Sequence, residues 1–483
     1  MCAYARAAQC RPRTALSFVF DGFPMKEQLI EDLRALLGDE AVLTGDAVTG
    51  RSAGAFRPDA LTAYALVRPR TTVEVAEVMK RCAAVGQAVV THGGLTGLVR
   101  GADASPDELI LSMERMTRIE GIDVAGRTMT VEAGVTLQQI QEAAAAVDLY
   151  YGVDYGARGT ATIGGGIATN AGGNRVIRFG MTRASVLGLE AVLADGRVIS
   201  SMNTMMKNNS GYDLKQLFIG SEGTLGVVTR AVIRLHEMPA SQCTALVAAT
   251  DFDAVVRLLK HMDRKLGGQL AAFELMWQAY FDLVSTPPAQ GRSPFAERYP
   301  FYVLLESLGA DQEADSVRFM QALEDAMADG LIVDATVAQS LDQRDALWRM
   351  RDSVEEMFKF GKSFNYDVSL PVSEMRAYAD GVSAAAQANW PQGRCWIFGH
   401  MGDGNLHVSF SVGDGSDATK HRIDEIVYGP LAAFRGAVSA EHGIGLDKRA
   451  WLGVSRTDEE LALMRQLKDF LDPQGLLNPG KVV

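Results

Sequence analysis

The stretch CWIFGHMGDGNLHVSF, residues 395–410, has little choice but to form a β-hairpin. Asp403-Gly404 between two alternating runs is the strongest short-range signal for a two-residue hairpin loop. That loop predicts Met401 opposite Leu406 and His400 opposite His407. Side chains alternate faces along a strand. One face then carries Ile397, Met401, Leu406, Val408 and Phe410, all apolar. The other carries His400, Asn405 and His407. Opposed residues have Cβ atoms roughly 4.5–5.5 Å apart, close enough for two imidazoles to share one metal ion. The residues alone equally allow two surface histidines on the wet face of a sheet.

The remainder of the 483-residue chain is long enough for two or three domains and a large core. A net charge of −12 argues against nucleic acid or an anionic membrane as partner. No apolar run reaches the ~18 residues of a transmembrane helix. Five scattered cysteines without a CxxC fit a reducing compartment and no disulfide framework. Residues 1–24 are basic and lack a secretory core. They read as a loosely ordered extension upstream of a start at Met25, or as a transit segment. The first reading implies a cytoplasmic protein, the second an organelle matrix.

Residues 25–237 alternate helices with short apolar strands. In 71–86, Thr71 and Glu74 form a capping box and Gly86 supplies the stop. A hairpin is expected at 189–200, turning at Asp195-Gly196. From about 240 the order is β-α-β then β-α-β, a ferredoxin-like split sheet. A helix over 341–360 and the opening hairpin follow, and the last 40 residues read as mainly helical. The fold class is α+β.

No GxGxxG occurs, so the Rossmann fingerprint is missing, and GKS at 361–363 has Glu356 where a Walker loop needs Gly. Three other segments are dense in Gly with Thr, Ser or Asn: THGGLTGLVRGA (91–102), GTATIGGGIATNAGGNR (159–175) and GSEGTLGVV (220–228). Glycines let backbone N–H groups approach phosphate oxygens and form anion-binding concavities. Three such loops within 140 residues point to one large cofactor.

These segments, with RPRTTVEVAEV (68–78), resemble the flavin-binding domain of the vanillyl-alcohol oxidase/p-cresol methylhydroxylase superfamily. YDVSLPV (366–372), GHMGDGNLH (399–407), SAEHGIGLDKR (439–449) and DPQGLLNPGK (472–481) resemble its D-2-hydroxyacid dehydrogenase branch. With NNSGYDLKQLFIGSEGTLG (208–226), they come nearest to the D-2-hydroxyglutarate dehydrogenases. The resemblance implies a two-subdomain FAD-binding domain over 25–237 and a ferredoxin-like substrate (cap) domain over 238–435. A C-terminal segment, 436–483, would return to the FAD domain. It also implies non-covalent FAD, held by Val90, Gly93, Gly94, Leu95, Thr96, Gly97, Gly159, Gly164, Thr169, Asn170, Gly172, Gly173, Val228 and Asn478. The pyrophosphate would lie over 93–97 and the isoalloxazine near 169–173. His92 is not expected to bond the flavin. Arg100 stands where the family often has Gly.

By the same match, His400, His407 and Glu441 bind a divalent metal, zinc by preference. His442 is the catalytic base and also touches substrate, because an imidazole titrates near neutral pH. Arg351 binds the substrate carboxylate, where a planar fork suits bidentate contact. Asn405 hydrogen-bonds the carboxylate. The implied reaction is oxidation of a D-2-hydroxyacid, D-2-hydroxyglutarate first, to the 2-oxoacid with hydride transfer to flavin N5. Two departures weaken the case for a dicarboxylate: Asn365 replaces a Lys, and Glu355 replaces a Thr. Lys359 or Lys362 is the expected compensation. D-lactate or another D-2-hydroxyacid, an oxygen-using oxidase, or a glycolate-oxidase-type flavin subunit are the competing readings. The acceptor would be an electron-transfer flavoprotein, a quinone or a cytochrome. A homodimer is one arrangement the sequence allows.

Overall fold

A computed structural model describes residues 23–54, 57 and 59–483. The expectation of a loosely held extension therefore falls outside the described residues, save for 23 and 24. The first helix spans Phe23–Leu37.

In the N-terminal half, a four-stranded sheet runs in the order Val42–Leu43, Ala65–Val67, Leu109–Ser112, Val89–His92. Its last three strands are parallel. Parallel neighbours need a crossover, and the helix Thr72–Val85 supplies one between Ala65–Val67 and Val89–His92. Its start is capped by the Thr71 hydroxyl, which accepts from the Glu74 N–H at 3.1 Å. The Glu74 carboxylate accepts from the Arg70 N–H, so the expected box is displaced by one residue. Gly86, at φ 68°, ends the helix as expected. The strand Val89–His92 then empties into the first glycine loop.

The second sheet has five antiparallel strands, in the order Ile119–Asp123, Thr128–Glu132, Val227–Arg234, Val186–Val192, Val198–Ser201. Its last two strands are the expected hairpin, with Gly196 at φ 82° in the turn.

The C-terminal half is built on one seven-stranded antiparallel sheet. Its order is Asp334–Val337, Ser241–Ala249, Phe301–Gly309, Leu270–Trp277, Arg394–His400, Asn405–Ser411, Phe364–Ser369. The first four strands follow the ferredoxin-like order, with the last strand beside the first. The helices Phe252–Leu266 and Gln312–Ala328 cover the same apolar core as Val247, Phe273 and Leu305. The hairpin of residues 394–411 pairs with the strand Leu270–Trp277 and extends the sheet.

Two expectations need correction. Phe398, not His400, lies opposite His407, so the hairpin register is shifted by two residues. Met401–Asp403 coil into a single tight turn ahead of Gly404, which sits at φ 89°. Met401 is fully buried in the core beneath the sheet, and this burial draws the loop inward instead of letting it pair. A two-residue shift preserves strand parity. Ile397, Met401, Leu406, Val408 and Phe410 therefore all join one core, as expected. The helix expected over 341–360 stops at Asp352 and continues as a tighter turn over Val354–Phe360. The Ser353 hydroxyl donates to the Arg349 carbonyl at 2.6 Å, a back-bond that disfavours continuing the helix.

Candidate active site between the two halves

The histidine face of the hairpin is buried against the N-terminal half. A Cβ on Gly402 would press on Ile177 at 2.5 Å, so the turn and the helix Val176–Phe179 touch closely. Pairing with Leu270–Trp277 places Glu274 directly opposite His400. His400 Nδ1 lies 2.8 Å from Glu274 Oε1. The other Glu274 oxygen accepts from Arg351 Nε at 2.8 Å. Arg351 reaches this carboxylate from the last turn of the helix Leu341–Asp352, and its Nη2 is 3.3 Å from His400 Nε2. Its guanidinium lies over the Phe398 ring at 5.0 Å.

Glu441 and His442 arrive on a loop held by Asp367, a neighbour of His407 across the strand pair. Asp367 Oδ2 accepts from the N–H groups of Ala440, Glu441 and His442, each at 3.0 Å. It also accepts from the Ser439 hydroxyl at 3.1 Å. The result is a convergence of imidazoles. Nε2 of His400, His407 and His442 lies 3.9, 3.7 and 3.9 Å from Glu441 Oε1. The His400 and His407 ring centroids are 5.3 Å apart. Zinc at ~2.0–2.1 Å from each ligand sets ligand–ligand separations of roughly 3.3 Å. Closing the observed gaps takes a few tenths of an ångström.

Among the described residues, Asp367, His407, Glu441 and His442 offer ligand atoms all within 4.8 Å of one another, a group that does not include His400. The other contacts of these residues bear on which of them are ligands. Asp367 Oδ2 is committed to main-chain donors, while its Oδ1 is buried without a partner among the described residues. A carboxylate holding the far nitrogen of a histidine is the usual support of a metal ligand, and Glu274 holds His400 in that way. His442 is the more open imidazole, 20% exposed against 6% for His400. The Asn405 amide oxygen is buried and has no partner among the described residues. The donor set suits a divalent cation.

Electrostatics divide the histidines. Burial pulls His400 down, but the Glu274 carboxylate overrides it and lifts the imidazole to about 9. Burial, then the adjacent His400, push His407 well below its ordinary value. Burial opposes ionisation of Asp367, yet His442 and Lys448 hold it far below the usual carboxylate range.

The glycine loops form one cradle beside this cluster. A Cβ on Gly94 would overlap the Thr160 carbonyl, and one on Gly93 would sit 2.6 Å from the Thr162 hydroxyl. Gly164 packs likewise on Ala133. Among the described residues, none accepts from the backbone N–H groups of 93–97. Leu95 sits at φ 57°, a conformation rare for a branched residue and concentrated at functional loops. The buried Thr91 hydroxyl also lacks a partner. Unclaimed donors beside a strained loop fit a pyrophosphate. Val90 and Val228 are buried beneath the cradle. Asn478 joins it through Oδ1, which accepts from the Thr91 N–H at 2.9 Å. Gly159 lies at its exposed edge. Thr169 donates to the Gly165 carbonyl, and Asn170 accepts from the Arg183 N–H. A Cβ on Gly172 would lie 3.0 Å from Glu441 Oε2, and Gly173 packs on the Asp154 carbonyl. The loop expected at the isoalloxazine thus borders the cation cluster directly.

His92 Nε2 lies 2.8 Å from the Ala102 carbonyl, and burial pulls its imidazole down to about 4. Arg100 adopts φ 59°, a value that explains a Gly preference at this position.

The comparisons with known proteins decide the family. The model of FAD linked oxidases, C-terminal domain, matches residues 238–482, and that of the FAD binding domain matches 63–201. The chain belongs to the FAD-linked oxidases. This FAD-linked oxidase is 40% identical over 423 residues to D-2-hydroxyglutarate dehydrogenase of Xanthomonas citri pv. viticola, covering 86% of this chain and 89% of that one. It is 36% identical to the mitochondrial D-2-hydroxyglutarate dehydrogenase of Arabidopsis thaliana, covering 86% and 74%. A crystal structure of p-cresol methylhydroxylase matches the fold with a TM-score of 0.74 at 17% identity, covering 96% and 98% of the two chains. The enzyme is therefore an FAD-dependent oxidoreductase with the fold of p-cresol methylhydroxylase. Among the described residues, no helix is long and apolar enough to cross a membrane.

Sequence reasoning missed Glu274 and the anchoring role of Asp367. The signal for Glu274 was a lone acid inside the apolar strand LAAFELMW. The expected lysine compensation finds no support in the geometry. Lys359 pairs with Glu356, and Lys362 donates to the Gly415 carbonyl over the Phe364 ring. Asn365 and Glu355 are both exposed.

Proposed function

We propose that this FAD-linked oxidase oxidises a D-2-hydroxyacid to the 2-oxoacid, with D-2-hydroxyglutarate the first substrate to test. The observation that carries the reading is the meeting of three imidazoles and Glu441 against the Gly172 loop. Bound FAD supplies a hydride acceptor, and a divalent cation, zinc by its donor set, supplies Lewis-acid polarisation of a chelating hydroxyacid. His400, His407 and Glu441 hold the cation. His442 takes the hydroxyl proton. Arg351 and Asn405 bind the substrate carboxylate. An electron-transfer flavoprotein, a quinone or a cytochrome would be the electron acceptor. A cytoplasmic location is the first reading and an organelle matrix the alternative, the relatives being bacterial and mitochondrial.

A second reading has a specific basis. Arg351 already serves Glu274, and Lys359 and Lys362 serve other partners. A D-2-hydroxyacid without a second carboxylate, such as D-lactate, fits that charge pattern. A panel of D- and L-2-hydroxyacids with a dye acceptor, with and without chelator, separates the two readings. Turnover only with L-acids, or with none, contradicts both.

Arg351→Ala is expected to raise KM by roughly 10- to 150-fold, the equivalent of about 1.5–3 kcal/mol for hydrogen bonds to a charged group. It also leaves the buried Glu274 short of a cation, a change that typically costs about 3–5 kcal/mol. Tm should fall with it. Steady-state kinetics beside thermal unfolding check both effects, and an unchanged KM removes Arg351 from the substrate site.

A further inference from the structure

The loop bearing Glu441 and His442 is fixed at two points, one in each half of the molecule. On the cap side Asp367 gathers the N–H groups of 440–442. On the flavin-domain side Glu222 does the same for the next stretch. Glu222 Oε1 accepts from the Ile444 N–H at 2.6 Å, and Oε2 accepts from the Gly445 N–H at 2.8 Å. Successive N–H groups of such a loop make an anion-binding concavity. Here the protein's own carboxylates occupy two of them in sequence.

The backbone of Glu222 is tied to the cofactor cradle. Its N–H donates to the Ala168 carbonyl at 2.8 Å, one residue before Thr169 and Asn170. Its carbonyl accepts from Asn478 Nδ2 at 2.5 Å, and Asn478 in turn holds the Thr91 N–H. Glu222 itself adopts φ 51°. A left-handed conformation is uncommon for a residue other than Gly and persists where surrounding contacts over-determine it. Close packing fixes the loop further. A Cβ on Gly443 would lie 2.8 Å from Glu222 Oε1, and one on Gly445 would overlap the Val99 carbonyl.

We infer that Glu222 is a positioning residue that sets the placement of Glu441 and His442 relative to the flavin-ring loop. The inference rests on the proposed roles of those two residues. Glu222 touches neither substrate nor cation. It transmits the geometry of the 168–173 loop to the Glu441–His442 pair through two main-chain hydrogen bonds.

Glu222→Gln tests this. The amide is isosteric, but its NH2 must face one of the two N–H donors. Loss of an outer support of this kind typically costs about 10–100-fold in metal affinity or activity. The holoenzyme is expected to show that fall in kcat per bound FAD, or in cation affinity measured by chelator competition. KM should stay near wild type, because Arg351 is untouched, and turnover is referred to bound FAD because Glu222 sits within the third glycine segment. A merely structural role would lower Tm and flavin content and leave kcat per bound FAD unchanged. That result overturns the inference. Should Glu222→Gln fail to hold FAD, Glu222→Asp is read instead. It keeps the charge but shortens the reach, and wild-type kcat per FAD would overturn the inference equally. His407→Ala, assayed alongside, keeps the two readings apart. If it retains cation and activity, the cation reading fails, whatever Glu222→Gln shows. If it loses both while Glu222→Gln behaves as wild type, only the positioning role fails.

Discussion

His407→Ala is expected to give a yellow protein that retains no divalent cation and turns over no hydroxyacid. The ring being removed is largely shielded from solvent, and its Nε2 stands 3.7 Å from Glu441 Oε1. With His407 gone, the cation keeps one imidazole and one carboxylate from the proposed set. The loss should exceed the ~10–100-fold typical of removing a group that merely supports a ligand. Flavin should survive, because the cradle of 93–97 and 164–173 uses no atom of His407. Elemental analysis and the visible flavin spectrum, measured on one preparation, check both halves of the prediction. Normal rates in His407→Ala under chelator would contradict the proposed cation site.

His442→Ala should separate proton transfer from binding. Asp367 holds the His442 main chain through an N–H at 3.0 Å, and the imidazole Nδ1 lies farther off, at 3.8 Å. Alanine preserves that bond, so Glu441 should stay in place. FAD and cation content are expected to match wild type. Turnover is expected to fall by ~10²–10⁴-fold, the usual contribution of a general base. KM should change little, since Arg351 and Asn405 remain. Single-turnover flavin reduction isolates the chemical step. A rise confined to KM would move His442 from base to substrate contact.

The hairpin shows how far the sequence could be read. Alternation fixed which side chains share a face, and a register error of two residues left that assignment intact. The register itself depended on Met401 entering the core, a tertiary choice that turn chemistry does not encode. The partner of His400 was further out of reach. Glu274 lies 126 residues earlier and meets His400 only because the hairpin adds to the strand Leu270–Trp277. Asp367 was visible within YDVSLPV, yet nothing local shows a carboxylate collecting three main-chain N–H groups of a loop more than 70 residues away. The glycine segments were legible as a cradle because tight backbone approach demands Gly. Their junction with Glu441 at Gly172 was not, since it joins two separate halves of the chain.

The central claim is that the cation cluster and the flavin act on one substrate. Anaerobic mixing of the FAD-loaded enzyme with D-2-hydroxyacids, followed by flavin absorbance, tests it most directly. The account predicts rapid bleaching by a D enantiomer, loss of bleaching after chelation, and recovery on adding back zinc. Bleaching that proceeds unchanged in the chelated enzyme would contradict it.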